Sequence, residues 1–333
     1  AINGTTWSNV NENNDLKFLE LRCGDDLVEY NWINDIVNVD NYNCGDIGYA
    51  VNERLNLNDV FLEFDYGGNK EYATDPAVSC EDTINENSTL TGNLTCSGTG
   101  IIIGADDVVL DCDGYTINYS TAGNGGYAIN NTAGYNNVTI QNCNLVEGNN
   151  SGSNQKAIYF KNADNSLINN NNITTISFGS PSAITLENSS NNQITNNRED
   201  LIGLTMSSEA VLIDSFSNNN TIENNTIYIK GVGANYGIKI ISSSNNTIKN
   251  NSITNIDSSS SPRAVIYIAG YSSESNDIID NTLTGKDTPT IYFIPDGSNI
   301  SSNNNISNNI ILSTNYRGLH LTRTVNSTIK GNI

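Results

Sequence analysis

Three charged residues recur at nearly equal spacing in the middle of the chain. They are Lys161, Glu187 and Asp214, 26 and then 27 residues apart. Enzymes that cleave sugar chains use two carboxylates about 5 to 9.5 Å apart as acid and as base or nucleophile. If successive repeats stack, these three side chains form one outward column, in which a neighbouring charge could raise the pKa of a carboxylate. A surface charge ladder explains the same spacing, so catalysis is only one of two hypotheses.

A second group of acids follows a short apolar run. Carboxylates and backbone carbonyls are the ligands that Ca²⁺ prefers, but the spacing here matches no known calcium loop. The alternative is solvated carboxylates, and we expect no other cofactor. The four residues are Asp106, Asp107, Asp111 and Asp113. The single histidine, His320, has no acid or serine at a telling spacing, and we interpret it as a surface residue.

The element that must position these residues is a short phrase repeated eight times after Val138. A fixed period of 23 to 30 residues predicts a solenoid. The phrase is N-x-I-x-x-N-x-I in its fullest form, and its first Ile stands at Ile140, Ile168, Ile194, Ile222, Ile248, Ile278, Ile306 and Ile329.

The two apolar positions of the phrase are five residues apart, with an Asn pair between them. In a straight strand an odd spacing sends two side chains to opposite faces. Both can face one core only if the backbone bends, and Asn tolerates the left-handed conformation such a bend needs. The Asn pair therefore predicts a corner. We expect pairs such as Asn224–Asn225 and Asn250–Asn251 to stack in amide ladders, with even their first members facing inward in some turns.

A further strand precedes each phrase and shows alternating apolar residues. The same phrase recurs in the same direction without helical crossovers, so equivalent strands must run parallel. The sequence thus predicts an all-β, right-handed parallel β-helix with a small acidic N-terminal β-rich domain. We place the cap or docking domain at residues 1–78 and a β-helix of about eight to nine coils at residues 79–333.

The same alternation predicts an apolar patch on the outside of the later turns. In the sixth repeat we align Val265 and Tyr267 with the core, which leaves Ile266 and Ile268 outside. A grouped apolar patch usually marks a contact surface, although loops of the same chain could cover it. The predicted interface residues are Ile241, Ile266, Ile268, Tyr292 and Ile294.

All six cysteines lie in the first 143 residues. An even number at the start of a solenoid favours disulfides and an oxidising compartment over free thiols in the cytosol. Fifteen pairings are formally possible. We favour Cys23–Cys44, Cys80–Cys96 and Cys112–Cys143, the last joining adjacent coils at one corner.

The net charge and the hydropathy of the chain exclude some classes of binding partner. The formal net charge is −21, and the N-terminal stretch is the more acidic per residue. Nucleic acids and anionic membranes are therefore poor partners, and no apolar run is long enough for membrane insertion. Numbering from Ala1 fits a mature chain whose leader was removed.

Many asparagines match the N-glycosylation pattern, which Asn-rich composition alone would also produce. Sites just before a strand are the best candidates. The sites we single out are Asn87, Asn93, Asn137, Asn219, Asn245 and Asn326.

One segment resembles a known family. Ser79–Ile117, with Cys80, Cys96, the Ile101–Ile103 strand and the Asp107–Ile117 run, is similar to the start of NosD-like carbohydrate-binding and sugar-hydrolase (CASH) β-helix proteins. These are common among secreted archaeal and bacterial surface proteins. The resemblance, over residues 79–333, implies a right-handed parallel β-helix but supplies no catalytic residues.

Two functions remain open. The first is a secreted, glycosylated structural subunit of a cell-surface layer, sheath or filament. Such a subunit would assemble as a homo-oligomer or polymer through the apolar patch and an open solenoid end, because the eighth phrase has no cap after it. The second is a polysaccharide-binding or polysaccharide-cleaving β-helix that uses the Lys161–Glu187–Asp214 column.

Overall fold

A computed structural model describes most of the second half of the chain and parts of the first. The described residues are 18–23, 26–31, 36–40, 63–66, 69–72 and 78–333, the last range without 124, 149–154, 178–180, 204–207, 232–234, 257–263, 272, 296 and 298. They divide between two compact units, 1–76 and 77–333.

The first unit is β-rich where it is described. Its strands Phe18–Cys23, Asp26–Asn31 and Ile36–Asp40 form an antiparallel sheet, and Glu63–Tyr66 pairs with Asn69–Tyr72 as a hairpin. The role of this unit as a cap remains a prediction. The proposed Cys23–Cys44 bond lies outside the described side chains.

The second unit is a parallel β-helix with three long sheets, as predicted. Each turn but the last contributes one strand to each sheet in the order A, B, C, and strands inside each sheet pair with their equivalents in the turns before and after. Sheet A contains Thr83–Ile84, Ile101–Ile103, Tyr127–Asn131, Lys156–Lys161, Ser182–Glu187, Ser208–Asp214, Asn235–Ile241, Ile266–Gly270, Ile291–Pro295 and Leu319–Leu321.

The other two sheets are built in the same way. Sheet B contains Ser88–Thr89, Val109–Asp111, Thr139–Gln141, Leu167–Asn169, Gln193–Thr195, Thr221–Glu223, Thr247–Lys249, Asp277–Ile279, Asn305–Ser307 and Thr328–Lys330. Sheet C contains Leu94–Thr95, Thr116–Tyr119, Asn144–Glu147, Asn172–Ser177, Arg198–Gly203, Thr226–Gly231, Ser252–Asn255, Thr282–Lys286 and Ile310–Thr314. A short pair, Ser301–Ser302 with Thr324–Val325, completes the unit.

Among the described residues, the structure contains no helix of the length and apolarity needed to cross a membrane.

The core is a stack of aliphatic columns inside the three sheets. The first Ile of each phrase lies in sheet B, and Ile140, Ile168 and Ile194 are fully buried there. The second apolar residue lies in sheet C, where Glu199 interrupts the column between Ile173 and Ile227. Glu199 is fully buried as well.

The Asn pair forms the corner between sheets B and C. The first member is left-handed in every turn, with φ of 57° at Asn142, 58° at Asn224 and 55° at Asn250. Its side chain faces solvent, so the expectation that Asn224 and Asn250 turn inward is wrong. The left-handed backbone reverses the side-chain direction, and only the second member enters the core.

That second member builds an internal amide ladder. Asn225 donates through Nδ2 to the Ile194 carbonyl at 2.9 Å and to Asn251 Oδ1 at 3.0 Å, while its own Oδ1 accepts from Asn197. The same pattern runs through Asn171, Asn197, Asn225, Asn251, Asn281, Asn309 and Asn332. Each turn is therefore joined to the next by hydrogen bonds between side-chain amides inside the β-helix, where buried polar groups need partners.

A second ladder lies at the corner between sheets A and B, and the sequence reasoning missed it. Asn220 Nδ2 donates to the Ser189 carbonyl at 3.0 Å and to Asn246 Oδ1 at 3.2 Å. The sequence carries a signal for this ladder, because an Asn stands two residues before the first Ile in every phrase from Asn192 to Asn304.

Two disulfides staple the first turns. Cys80–Cys96 and Cys112–Cys143 are both formed, as predicted. Cys143 occupies the position that Asn171 takes one turn later, and its amide donates to Asn171 Oδ1 at 3.0 Å. The Cys112–Cys143 disulfide thus links the turns just before the Asn ladder, which begins at Asn171.

Candidate functional site

The outer surface of sheet A carries the densest group of aromatic and charged side chains among the described residues. Its central column, one residue per turn, is Tyr159, Thr185, Leu212, Lys239, Tyr267, Tyr292 and His320. Two residues further along each strand lies the column of Lys161, Glu187 and Asp214. We call these two columns together the sheet A surface. Tyr159 and Thr185 are buried within it, whereas Tyr267, Tyr292 and His320 are half-buried.

The structure brings Lys161, Glu187 and Asp214 together as predicted. Lys161 pairs with Glu187 in the ladder, and Glu187 pairs with Asp214. Lys161 Nζ lies 2.8 Å from Glu187 Oε1. The hydroxyl of Tyr159 donates to the other oxygen, Oε2. Both oxygens of Glu187 are therefore occupied.

These contacts set the protonation of the group. The hydrogen bond from Lys161, followed by that from Tyr159, holds the pKa of Glu187 below its usual value. Burial, together with Glu187, raises the pKa of Tyr159. The hydrogen bond to Glu187 raises the pKa of Lys161. The predicted raised carboxylate pKa is thus wrong for Glu187, because its nearest charge is a cation.

A second ion pair lies on the same sheet. Lys239 Nζ lies 2.8 Å from Glu209 Oε1, with only 17% and 6% of the two side chains exposed. The Ser182 hydroxyl also bonds Glu209, at 3.3 Å. Lys239 Nζ stands 4.8 Å from the centroid of the Tyr236 ring. Lys161 and Lys239 are thus each paired with an acid, and Lys239 also lies over a tyrosine ring.

Aromatic rings continue the central column through the later turns. Tyr236 and Tyr267 have centroids 4.9 Å apart, and Tyr267 and Tyr292 are edge to face at 5.7 Å. His320 stacks on Tyr292 at 4.6 Å with an interplanar angle of 8°. The histidine is at the surface, as predicted, but it extends this row of rings. The alternation in the sequence places Tyr267 in the core, so the row of rings is not predicted from it.

The predicted apolar patch is correct only in part. Ile241, Tyr292 and Ile294 lie half-buried on the outside, but Ile266 and Ile268 are in the core. Ile266 pairs with Ile238, and Ile268 pairs with Ile240. The strand Ile266–Gly270 is therefore shifted by one residue from the register that the sequence repeats predict. Such a shift exchanges the two faces of a strand.

The four aspartates do not come together as a calcium site. Asp106 accepts from the Asn136 amide and Asp107 from Asn137 Nδ2, both at 2.6 Å. The described residues contain no group of three acidic, histidine or cysteine side chains that could hold a metal ion.

Asp111 has a structural role instead. It accepts from Asn142 Nδ2 at 2.9 Å, from Gln141 Nε2 at 2.7 Å and from the Asp113 amide at 2.9 Å. Partial burial opposes ionisation, but these hydrogen bonds hold the pKa of Asp111 below its usual value. It therefore ties two turns together beside the second disulfide.

The six selected glycosylation sites are all at the surface. Three of them, Asn137, Asn219 and Asn245, have left-handed φ of 57° to 59° at the corner before sheet B. The exposed set is Asn87, Asn93, Asn137, Asn219, Asn245 and Asn326. The outward corner residues Asn224 and Asn250 are further accessible sites. Attachment of glycans remains a prediction.

Comparisons with known proteins return similarity of structure only. No family model matches the chain, and no curated protein matches it. Among solved structures, a mutant DFA-IIIase of Arthrobacter chlorophenolicus A6 in complex with DFA-III shares 11% identity at a TM-score of 0.41, over 72% of this chain and 63% of that one. The mannuronan C-5 epimerase AlgE6 A-module of Azotobacter vinelandii shares 12%, at 0.30, over 76% and 90%.

A third similar structure is the Dettilon tailspike protein. It shares 13% identity at a TM-score of 0.35, over 76% of this chain and 60% of that one. Similarity of this extent concerns the β-helix fold, and one fold carries many unrelated functions. The β-helix that the resemblance to NosD-like proteins implies is present in the structure, and the family itself remains a prediction.

Proposed function

We propose that this chain is an extracellular β-helix that binds a polysaccharide along the sheet A surface. The observation that carries the proposal is the row of rings Tyr267, Tyr292 and His320 beside paired charges. Aromatic rings offer flat apolar faces, and hydroxyl-bearing ligands also need fixed donors and acceptors nearby. Parallel strands repeat this arrangement from turn to turn, which suits a polymer.

Binding without cleavage fits the charges better than catalysis. Cleavage needs a carboxylic acid that stays protonated until it gives its proton away. Glu187 is instead held ionised by Lys161 and Tyr159. Glu209 is committed to Lys239 and Ser182. Both acids are thus already paired with donors of the protein itself, which does not suit either of them as a free proton donor for cleavage.

The disulfides and the glycosylation patterns indicate where the protein resides. Two disulfides in the β-helix favour an oxidising environment. Accessible glycosylation patterns such as Asn219 and Asn245 suit a secreted protein. We therefore place the protein outside the cell or on its surface.

A structural subunit is the less supported alternative. Its lateral contact rested on five apolar residues, and two of these, Ile266 and Ile268, are buried in the core. Ile241, Tyr292 and Ile294 remain outside, but they adjoin the row of rings and serve a ligand surface equally well.

The first prediction concerns the row of rings. Tyr292→Ala removes the ring between Tyr267 and His320. We expect affinity for a retained polysaccharide to fall about fivefold to tenfold, because an aromatic contact contributes about 1 kcal/mol. Affinity electrophoresis over a panel of neutral and acidic polysaccharides measures the change.

The matched control is Tyr316→Ala. Tyr316 is 46% exposed and lies outside the sheet A surface. Equal retention of both variants and the wild type would contradict the proposal, as would a lack of retention by every polysaccharide. Release of new chain ends by wild type but not by Glu187→Gln would show that the protein cleaves its ligand.

A further inference from the structure

A second surface with the features of a ligand site lies on sheet C. A groove of about 610 Å³ runs across four neighbouring turns beside the corner between sheets B and C. Its side chains come from two rows of polar residues, and we call it the corner groove. The residues that matter here are Asn142, Asn144, Asn170, Asn172, Arg198 and Asp200.

The first row stands at the corner itself. Asn142 and Asn170 have left-handed φ of 57° and 55°, which points their amides away from the core. Asn170 Nδ2 donates to Asn142 Oδ1 at 2.7 Å. In the next turn Asn196 departs from this row and donates to Asn169 at 2.9 Å. The outer ladder therefore ends within the groove.

The second row lies two residues further along the strands of sheet C. Asn144, Asn172 and Arg198 are in register over three turns. Asn172 Nδ2 reaches Asn144 Oδ1 at 3.4 Å, and Asn144 Nδ2 donates to the Gly114 carbonyl at 2.5 Å. Beyond Arg198 the row continues with Thr226 and Ser252, whose side chains are shorter.

Arg198 and Asp200 form a fixed polar edge. Arg198 Nε lies 3.2 Å from Asp200 Oδ2, and Nη2 lies 2.9 Å from Oδ1. A guanidinium carries five N–H donors, so this fork leaves the two on Nη1 to other partners. The Arg198 side chain is 56% exposed and can use them towards solvent or a ligand.

An aromatic ring stands at the end of this edge. Tyr228 pairs with Asp200 in the sheet and points to the same outer surface. It is 37% exposed. Amides that donate and accept, a planar ion pair and an exposed ring on one rigid sheet are together the groups that hold a sugar ring.

The charge of the groove selects among sugars. Arg198 is neutralised by Asp200, and Asp113 adds a carboxylate at the other end. Among the residues that line the groove, an acidic saccharide would meet two carboxylates, Asp113 and Asp200, and a single cation that Asp200 already neutralises. We propose that the corner groove is a second binding site, separate from the sheet A surface, for a neutral oligosaccharide.

Nuclear magnetic resonance distinguishes binding at the corner groove from binding at the sheet A surface, because it reads each site from the signals of its own side chains. The probes are the hexaoses of glucose (α- and β-linked), mannose and xylose, with hexagalacturonate as the acidic comparison. We expect at least one neutral hexaose to shift the side-chain amide signals of Asn144 and Asn172 and the Arg198 guanidinium signals. Absence of shifts with all four, or tighter binding of hexagalacturonate at these signals, would overturn the proposal.

Two variants test the contacts. Tyr228→Ala and Arg198→Gln should each weaken binding, read at the Asn172 signals, at least fivefold. Tyr271→Ala, which removes a ring that is 62% exposed elsewhere, should change it less than twofold. Unfolding temperatures near that of the wild type establish that each variant is folded.

Affinity read at the Asn172 signals that is unchanged in both variants would overturn the site. Binding at the sheet A surface is read from the Tyr292 signals in the same spectra, so either site can fail without the other.

Discussion

At the scale of single residues, Glu199 is the largest departure from the repeat. It takes the place of an Ile between Ile173 and Ile227 and is fully buried. Neither carboxylate oxygen has a well-formed hydrogen bond to any described residue. Burial, with a smaller contribution from Asp200, raises the pKa of Glu199 to about 8. The folded protein therefore holds this side chain as a neutral acid at neutral pH.

This residue makes stability depend on pH. The folded pKa lies above the ordinary value of 4.5, so the unfolded chain releases the proton first. The contribution of Glu199 to stability is fully present below about pH 4.5 and is lost as pH rises towards 8, at up to about 1.4 kcal/mol per unit. We expect denaturant midpoints of the wild type to fall between pH 5 and pH 9.

Glu199→Ile is the comparison for this prediction. It restores the aliphatic column, so we expect it to raise the midpoint and to flatten the profile over the same pH range. Parallel profiles for wild type and variant would show that Glu199 finds a charged partner in solution.

At the scale of elements, the hydrogen bonds of the Asn ladder stabilise the stacking of successive turns. Asn225→Ala deletes an amide that bonds the Ile194 carbonyl, Asn197 and Asn251. Each buried group left without a partner costs about 1 to 3 kcal/mol. We therefore expect a loss of about 3 to 5 kcal/mol in the free energy of unfolding, measured by urea denaturation.

The control for the ladder is Asn224→Gly. Asn224 is outward and left-handed, with φ of 58°, a conformation that Gly adopts without strain. This variant should remain within about 1 kcal/mol of the wild type, since Gly adds only backbone entropy in the unfolded chain. Similar losses in both variants would mean that the corner conformation, rather than the buried amide, holds the turns.

The elements were predictable because two spacings recur in every turn. The odd spacing of the Ile pair required a bend, and the left-handed Asn142 and Asn224 are that bend. The predicted exposure of Ile266 and Ile268 failed because a run of consecutive apolar residues, Val265–Ile268, fits either register. Only pairing with Ile238 and Ile240 decides between them.

The ligand surface could be predicted only in part for a related reason. Lys161, Glu187 and Asp214 were found because charges in a column stand out. The aromatic row was missed because Tyr267 was assigned inward with that register. The pairing of Glu187 with Lys161 follows from the column, but its hydrogen bond from Tyr159 was not predicted, because Tyr159 lies 28 residues away in sequence.

At the scale of the whole molecule, stabilisation differs between the start of the β-helix and its middle. Cys80–Cys96 and Cys112–Cys143 close chain segments of 16 and 31 residues in the first turns. Later turns rely on the internal amide ladders. The covalent staples therefore hold the end where the ladder has not yet begun.

Reduction should consequently loosen the first turns selectively. Each disulfide of this span stabilises by about 3 kcal/mol. We expect a reducing agent to accelerate hydrogen exchange around Ile101, Leu110 and Ile117, with little change around Ile222 and Ile248. Uniform acceleration along the solenoid would indicate that the turns unfold as one unit.

We propose that a saccharide lies along the outside of sheet A. The most direct test is a crystal structure of the protein in complex with a hexasaccharide, prepared from a polysaccharide that binds it in affinity electrophoresis. We expect sugar rings over Tyr267, Tyr292 and His320, with hydroxyls near Glu187 or Glu209. A complex in which this surface is empty while sugar occupies another part of the β-helix would contradict it.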